Sequence, residues 1–357
     1  MVNENPFSLM FGKTPHSIIR RETQYQSIVE TFDSENPVTY AYMITGIRGS
    51  GKTVMLRELA NEYAQRKGWI VLDGNSQNDL VIDLSSKLLY EGKKFKLFLD
   101  WSITVNAQFL SLQIGRGEQI TNAEIVFERL LKKAADSGKR ILITIDEISS
   151  NPQIKKFANF YQSMIGKNYP VFLLMTGLKN NIRALVNSDA SSFLSRTPKI
   201  ELPPLSELEI AREYEKTLAV SFPLAASLAR LTKGYAFAYQ VLGYLFFSMK
   251  ATEITDDLLK KYDKYLQNNG YGVVWRELTN QEKKICFALA ENQGTETKEL
   301  MAKVGMRTNN FQNYRASLIE KGILMSAGYG KLVFALPRFD KYIEAMRFTS
   351  EYPNPEF

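Results

Sequence analysis

The chain has 357 residues, of which 45% are hydrophobic, enough for two or three domains that each bury a core. A single cysteine excludes an internal disulfide, and a single histidine is too little for a typical zinc site. No Ser–His–Asp pattern surrounds that histidine, His16. No signal peptide and no apolar stretch of the roughly 20 residues that span a bilayer is visible, so we expect a cytoplasmic protein without a membrane partner. The net charge of +7 is compatible with a nucleic-acid partner and equally with a solvated basic surface.

The N-terminal region leads into a glycine-rich motif. Residues 1–11 are expected to form a loose arm, and Glu22 to Phe32 is predicted to form the first helix. An apolar run at 40–45 predicts a buried strand, and residues 54–60 have apolar side chains at helical spacing. Between this strand and helix, residues 46–53 read Gly-Ile-Arg-Gly-Ser-Gly-Lys-Thr. This is the G-x-x-x-x-G-K-T spacing of a phosphate-binding P-loop.

A loop of this kind binds phosphate through its backbone. Its glycines let N–H groups curve around an anion without Cβ clashes, and the next helix directs its N-terminus at the negative charge. Lys52 is predicted to reach the β- and γ-phosphates, and the Thr53 hydroxyl to bind Mg²⁺. The alternative is a chance match in a glycine turn, against which the flanking strand and helix argue. The predicted nucleotide-binding residues of the loop are Gly46, Arg48, Gly49, Ser50, Gly51, Lys52, Thr53 and Val54.

Strands and helices alternate after the loop. A second strand is predicted at Trp69 to Asp73, followed by an amphipathic helix over 79–90. Two alternating segments, 101–105 and 110–114, predict a hairpin inserted in the main fold. Thr121-Asn122-Ala123-Glu124 fits a capping box that opens the next helix.

Two acidic residues end the following strand. The run from Lys139 to Glu147 has a basic start, an apolar strand and then Asp146 and Glu147. Because open α/β sheets bind ligands at the carboxyl ends of their strands, Asp146 is predicted to hold Mg²⁺ with Thr53, and Glu147 to polarise the attacking water. An acid in that position favours hydrolysis over phosphate transfer to another substrate. The alternative is a pair of solvated acids at a strand end.

Three further residues are candidates for catalysis. The strand at 171–176 is expected between the P-loop strand and the Asp146 strand, so Thr176 is predicted to contact the γ-phosphate or the attacking water. Alternatively, Thr176 caps its strand before Gly177. Arg196, just before a short last strand, is predicted to act as an arginine finger towards a neighbouring subunit, with Arg183 as a second candidate. Either arginine is alternatively a surface residue.

The sequence pattern changes at Pro203-Pro204, after which helices dominate. A second capping box is predicted at Ser206-Glu207-Leu208-Glu209. From Thr279 to Phe339 the pattern predicts three helices followed by a β-hairpin. The predicted domains are a P-loop α/β domain at 1–203, a helical lid at 204–270 and a winged-helix domain at 271–357.

The third of these C-terminal helices has a polar surface suited to DNA. Thr308 is predicted to cap it, and a wing turn around Tyr329 follows. Asn and Gln suit adenine edges, and Arg suits guanine or phosphate. Residues 276–350 carry twelve Lys and Arg against eight Asp and Glu, a modest surplus, so the alternative is a module that docks protein. The candidate DNA contacts are Arg307, Asn309, Asn310, Gln312, Arg315 and Lys331.

Together these features resemble the AAA+ ATPases, and more narrowly the clade of archaeal-type ATPases, STAND-like proteins and origin-recognition initiators. The resemblance rests on the P-loop, the Ile145-Asp146-Glu147 strand end, the Leu202-Pro203-Pro204-Leu205-Ser206 junction, the lid and the winged helix. It implies an α/β fold with a three-layer parallel P-loop sheet, an all-α lid and a C-terminal winged helix-turn-helix domain. It also implies ATP or ADP and Mg²⁺ as cofactors, with Ile19 and Arg21 flanking the base or ribose.

The resemblance leaves two functions open. The first is an ATP-hydrolysing switch that acts on double-stranded DNA through its winged helix, alone or as a homo-oligomer. The alternative is a STAND-like signalling or assembly ATPase whose winged helix docks a partner protein, with slow or no turnover. Residues 234–239 contain no arginine where the family usually places Arg or Pro after a glycine, and this favours slow turnover.

Overall fold

A computed structural model describes residues 4–10, 15–98, 101–105, 110–114, 120–187, 192–291, 294–328 and 330–351. The chain divides into two units. The first, here the sheet unit, consists of residues 20–46 and 52–202. The second, here the helical unit, consists of residues 1–19, 47–51 and 203–357. The domain boundaries given above stay a prediction.

The sheet unit alternates strands with helices along the chain. Its helices are α1 (Glu22–Asp33), α2 (Lys52–Ala64), α3 (Leu80–Lys94), α4 (Ala123–Asp136), α5 (Pro152–Gly166), α6 (Lys179–Asn187) and α7 (Ser192–Arg196). Its strands are β1 (Ala41–Thr45), β2 (Trp69–Gly74), β3 (Trp101–Val105), β4 (Leu110–Ile114), β5 (Arg140–Ile145), β6 (Val171–Gly177) and β7 (Lys199–Glu201).

Five of these strands form one parallel sheet in the order β2-β5-β6-β1-β7. The strand that carries Thr176 therefore lies between the P-loop strand and the Asp146 strand, as predicted. The register pairs Ile145 with Met175 and Thr45 with Gly177, so the carboxyl ends of the three strands coincide. The predicted hairpin is also confirmed, because β3 and β4 pair antiparallel from Trp101↔Ile114 onward.

The sheet is buried on both faces, as is usual when helices connect parallel strands. Alternate residues of β5 belong to different apolar layers. Ile141 and Ile143 pack with residues of α3, α4 and α5, whereas Leu142 packs with residues of α1 and α2. The three-layer α/β architecture expected from the sequence is confirmed.

One helix start differs from the prediction. The N-cap of α4 is Asn122, whose side-chain oxygen accepts from the amides of Glu124 and Ile125, so Thr121 is not the capping residue. An asparagine carbonyl reaches both amides from one position closer to the helix, and this explains its preference over threonine here.

The helical unit continues from the end of the sheet with helices and one hairpin. Its elements are α8 (Glu207–Leu218), α9 (Phe222–Thr232), α10 (Ala236–Ser248), α11 (Asp256–Leu266), a π-helical turn (Gln267–Tyr271), α12 (Gly272–Arg276), α13 (Asn280–Ala290), α14 (Thr297–Val304), α15 (Thr308–Glu320), β8 (Leu324–Ser326), β9 (Leu332–Phe334) and α16 (Phe339–Glu351). A single apolar cluster extends from Phe7 through α8–α11 to Ile343.

The C-terminal part of this unit has the winged helix-turn-helix arrangement. Helices α13, α14 and α15 are followed by the antiparallel pair β8–β9, and Gly305 makes the tight left-handed turn between α14 and α15 with φ of 64°. The predicted cap of α15 is wrong. Thr308 is itself the first helical residue, whereas an N-cap residue must precede the helix, and Arg307 occupies that position.

The prediction of a loose N-terminal arm is wrong for the residues that can be described. Phe7 is 3% exposed and packs against the rings of Tyr214 and Tyr239. Its ring lies so close to Gly243 of α10 that a side chain there would collide with it. The free energy gained by burying the Phe7 ring offsets the cost of ordering this segment, although the segment forms no helix or strand. Residues 11–14, with the predicted turn at Gly12, lie outside the described residues.

None of the helices in the described part of the chain combines the length and the apolar character needed to span a bilayer.

Candidate functional site

The glycine-rich segment adopts the backbone that its sequence predicts. Gly49 and Gly51 have φ of 74° and 93°, in the left-handed region where only glycine avoids steric cost. The Ser50 amide donates to the Ile47 carbonyl at 3.2 Å, which closes a tight turn. β1 ends at Thr45 and α2 begins at Lys52, so the motif connects a strand to a helix as predicted.

Lys52 is the first residue of α2 and is 8% exposed. Its Nζ donates to the Gly46 carbonyl at 3.2 Å, a contact within the sheet unit. Burial of an ammonium group costs desolvation free energy unless polar or charged partners are near. This position therefore suits a lysine that binds an anion.

Four residues at the ends of neighbouring elements form one polar network in the sheet unit. Thr53 Oγ1 donates to Asp146 Oδ2 at 2.8 Å, and Thr176 Oγ1 donates to Asp146 Oδ1. The Glu147 amide donates to Thr176 Oγ1 at 3.0 Å. Thr176 is fully buried, so its hydroxyl links the two acidic residues without contact with solvent. The structure thus brings together α2, β5 and β6 at the predicted carboxylate pair.

Glu147 has an unusual backbone. Its φ of 53° lies in the left-handed region, which costs energy for a residue with a side chain. Bonds on both sides of it hold this conformation, because the Ile148 amide donates to the Thr176 carbonyl at 2.7 Å. The Glu147 side chain is exposed, so a strained and anchored backbone presents an exposed carboxylate.

The sequence predicts Thr176 next to the phosphates or as the cap of its strand, but not that its hydroxyl bridges Asp146 and the Glu147 amide. The pairing register of β5 and β6 explains this bridge. A residue one place beyond the Met175–Ile145 pair faces the first residue after β5.

The donor set formed by Thr53 and Asp146 suits Mg²⁺. A hydroxyl oxygen and a carboxylate oxygen are hard ligands of the kind that this ion prefers, and the two atoms already lie within 2.8 Å of one another. Their chemistry therefore fits the predicted metal role.

The predicted arginines lie on the surface of the sheet unit. Arg196 is exposed at the last position of α7, and Arg183 is exposed within α6. The ribose candidates fall in different units. Ile19 packs against the apolar cluster of the helical unit, and Arg21 occupies the N-cap position of α1 in the sheet unit.

Within the helical unit, the loop residues have partners that the sequence did not reveal. Tyr235 Oη donates to the Arg48 carbonyl at 2.9 Å, and the Phe237 amide donates to the Gly49 carbonyl at 3.1 Å. A side chain at Gly49 would collide with the Tyr235 hydroxyl. Burial raises the pKa of Tyr235 above its usual value, so this hydroxyl stays protonated and acts as a donor. Sequence reasoning noted only that this segment lacks an arginine.

Most of the DNA candidates are exposed. Arg307, Asn309, Asn310 and Gln312 lie at the start of α15, and Lys331 precedes β9, where it bridges to Glu296. Arg315 is only partly exposed, and its Nη1 donates to Gln312 Oε1 at 3.3 Å. Tyr329 lies outside the described residues.

One protein-family model matches the last part of the chain. Residues 268–343 fit the family described as Domain of unknown function (DUF8462). This segment includes α13, α14, α15 and the hairpin. A comparison of the sequence with curated proteins finds no match.

Two solved structures have the same fold over nearly the whole chain. The Walker-type ATPase paby2304 of Pyrococcus abyssi matches with a TM-score of 0.64 at 14% identity, covering 92% of this chain and 96% of that chain. The Aeropyrum pernix ORC2 protein, solved as ADPNP–ADP complexes, matches with a TM-score of 0.61 at 13% identity, covering 96% and 98%. Identities this low make the likeness one of fold. The comparison therefore shows that the chain shares the fold of these two proteins, a Walker-type ATPase and an ORC2 protein.

Proposed function

We propose that this protein binds and hydrolyses ATP, and that its nucleotide state controls the binding of its winged helix to duplex DNA. The observation that carries the proposal is the network of Thr53, Asp146, Thr176 and the Glu147 amide in the sheet unit. The buried Lys52 begins α2 of the same unit, and the glycine-rich sequence directly precedes it in the chain. The ORC2 structure of the same fold was solved with nucleotides, which supports nucleotide as the ligand class.

Binding of ATP would use the backbone amides of residues 47–51 and the ammonium of Lys52 to neutralise the phosphates. Thr53 and Asp146 would hold Mg²⁺, which when bound offsets the negative charge of the β- and γ-phosphates. The Asp146 carboxylate is kept in place by hydroxyl donors on both of its oxygens.

Hydrolysis would use Glu147 as the general base. Its carboxylate takes a proton from a water molecule as the water oxygen bonds to the γ-phosphorus, and the bond from that phosphorus to the β–γ bridging oxygen breaks. ADP and inorganic phosphate leave. The anchored left-handed backbone of Glu147 fixes where this carboxylate starts.

Two variants test the ATPase. Glu147→Gln is expected to bind ATP as the wild type does but to lower kcat by about 10²–10⁴-fold, the usual contribution of a general base. Lys52→Ala is expected to abolish binding and turnover together. Calorimetry with ADP and a phosphate-release assay measure the two effects. Hydrolysis by Glu147→Gln at the wild-type rate would show that this assignment is wrong.

A salt titration tests the DNA arm of the proposal. The exposed Arg307 before α15, the exposed Asn and Gln side chains in its first turns and the exposed Lys331 suit a contact with bases and phosphates. Phosphate contacts release counterions, so affinity for duplex DNA should fall at least about tenfold between roughly 50 and 200 mM salt. Binding that is insensitive to salt would exclude this mode.

A second candidate function has one observation in its favour. Ile319 on α15 and Met325 on β8 are 36% and 48% exposed, and apolar surface on a winged helix suits a protein partner better than DNA. In that case the chain is a STAND-like assembly switch with slow turnover. Ile319→Lys would then abolish assembly, measured by light scattering with ADP and ATP, and leave DNA affinity unchanged.

A further inference from the structure

Within the helical unit, three consecutive loop residues, at 47–49, each contact a different residue from the later part of the chain. Ile47 packs on Gly322, one of the three residues between α15 and β8, so closely that a Cβ at Gly322 would collide with it. Tyr235 Oη donates to the Arg48 carbonyl, and the Phe237 amide donates to the Gly49 carbonyl. All these residues belong to the same unit.

The two hydrogen bonds fix the direction of the loop amides. In a trans peptide the C=O and the N–H of one plane point in opposite directions. A donor on the Arg48 carbonyl therefore orients the Gly49 N–H, and a donor on the Gly49 carbonyl orients the Ser50 N–H. The described chain has no cis peptide bond, so this geometry applies to both planes. Backbone N–H groups of such a loop are the groups that receive phosphate oxygens.

Tyr235 itself is held firmly. It is 6% exposed, its amide donates to the Thr232 carbonyl at 2.9 Å, and its ring packs edge-on against Phe237 at 6.2 Å between centroids. The preceding residue, Gly234, has φ of 70° and accepts from the Leu205 amide at 2.8 Å. A rigid donor of this kind orders its acceptor without large entropic cost at the moment of binding.

We propose that Tyr235 is a positioning residue for the P-loop: its hydroxyl pre-orients the Gly49 amide towards phosphate, while the amide of Phe237 fixes the next peptide plane, whose Ser50 N–H closes the turn onto Ile47. The inference rests on the proposed nucleotide function of this loop. It gives the segment without an arginine a role of its own, because Tyr235 acts on the loop backbone through neutral hydrogen bonds.

The first test needs no nucleotide. Trypsin cleaves after arginine, Arg48 is exposed, and the carbonyl of the scissile Arg48–Gly49 bond is the acceptor of the Tyr235 hydroxyl. Tyr235→Phe should therefore be cut faster at Arg48, as measured by mass spectrometry of fragments that begin at Gly49. Tyr214→Phe is the matched control, since Tyr214 is buried and its hydroxyl donates to the Tyr239 carbonyl at 2.6 Å, away from the loop.

The second test is affinity for ADP by calorimetry. Tyr235→Phe should weaken binding by about five- to tenfold, the effect of losing one net hydrogen bond, while Tyr214→Phe binds as the wild type does. Equal cleavage and equal affinity in Tyr235→Phe and wild type would overturn the inference. Absence of ADP binding by the wild type would instead overturn the proposed function, and the cleavage rates would still decide whether Tyr235 orders the loop.

Discussion

In the sheet unit the candidate site is made by side chains that bond to one another, whereas in the helical unit the loop residues are held through their carbonyl oxygens. Thr53, Asp146 and Thr176 form the first arrangement, and Tyr235 and Phe237 the second. The first kind follows from residue types at strand ends. The second depends on where a distant helix begins. Different parts of the sequence therefore determine the reactive side chains of the site and the orientation of the loop backbone.

The largest expected effect concerns Gly234, which places Tyr235. Gly234→Ala would force a Cβ into the Leu205 carbonyl at a φ of 70°, so we expect a loss of about 3 kcal/mol or more in the free energy of unfolding. Gly305→Ala is the control, since Gly305 has φ of 64° but open space around it, and should cost about 1 kcal/mol. Urea denaturation measures both. Equal losses of stability in the two variants would show that the collision with Leu205 adds nothing to the cost of the left-handed backbone.

The next effect concerns the sheet unit. Thr176→Val keeps the shape of a fully buried side chain but removes the hydroxyl that links Asp146 to the Glu147 amide. The variant leaves Asp146 Oδ1 and the Glu147 amide without this partner, and an unpaired buried polar group costs about 1–3 kcal/mol. We therefore expect kcat for ATP to fall by about 10–10²-fold, with little change in the affinity for ADP. Thr176→Ser should retain most of the activity. A change in KM alone would show that Thr176 serves binding rather than the position of Glu147.

Sequence reasoning worked where geometry is fixed locally. A P-loop follows a strand and precedes a helix, and an acidic pair after an apolar run lies at a strand end, so Lys52, Asp146 and Glu147 could be placed in advance. One feature of the strand order was also predicted, namely that β6 lies between β1 and β5. The strand carrying Thr176 was thus placed correctly.

Sequence reasoning failed where tertiary packing decides. Nothing local distinguishes Tyr235 from other tyrosines, since its role depends on the approach of residues 47–49. Phe7 was assigned to a loose arm because the burial of one ring depends on the space above Gly243. The cap at Asn122 was missed for a smaller reason, as two adjacent residues could both cap and the prediction chose Thr121. The arginine finger at Arg196 stays a prediction.

The smallest expected effect is on the free energy of unfolding and concerns Glu282, a buried counterpart of the exposed Glu147. Glu282 is 1% exposed, and its carboxylate accepts hydrogen bonds from Thr279 N, Ser317 Oγ and Lys321 Nζ. Burial alone would raise the pKa of Glu282, but the hydrogen bonds from Lys321, Ser317 and the Thr279 amide outweigh it and hold the pKa below its usual 4.5.

A lowered pKa in the folded state means that Glu282 stabilises the fold above pH 4.5 and that this contribution is lost as the pH falls through the folded pKa. Glu282→Gln should therefore be less stable than the wild type at pH 7, and the difference in the free energy of unfolding should shrink towards pH 3. Urea denaturation at the two pH values measures it. A difference that stays constant with pH would mean that Glu282 acts through its shape and neutral hydrogen bonds, and the contrast between a structural and a chemical carboxylate would lose its electrostatic basis.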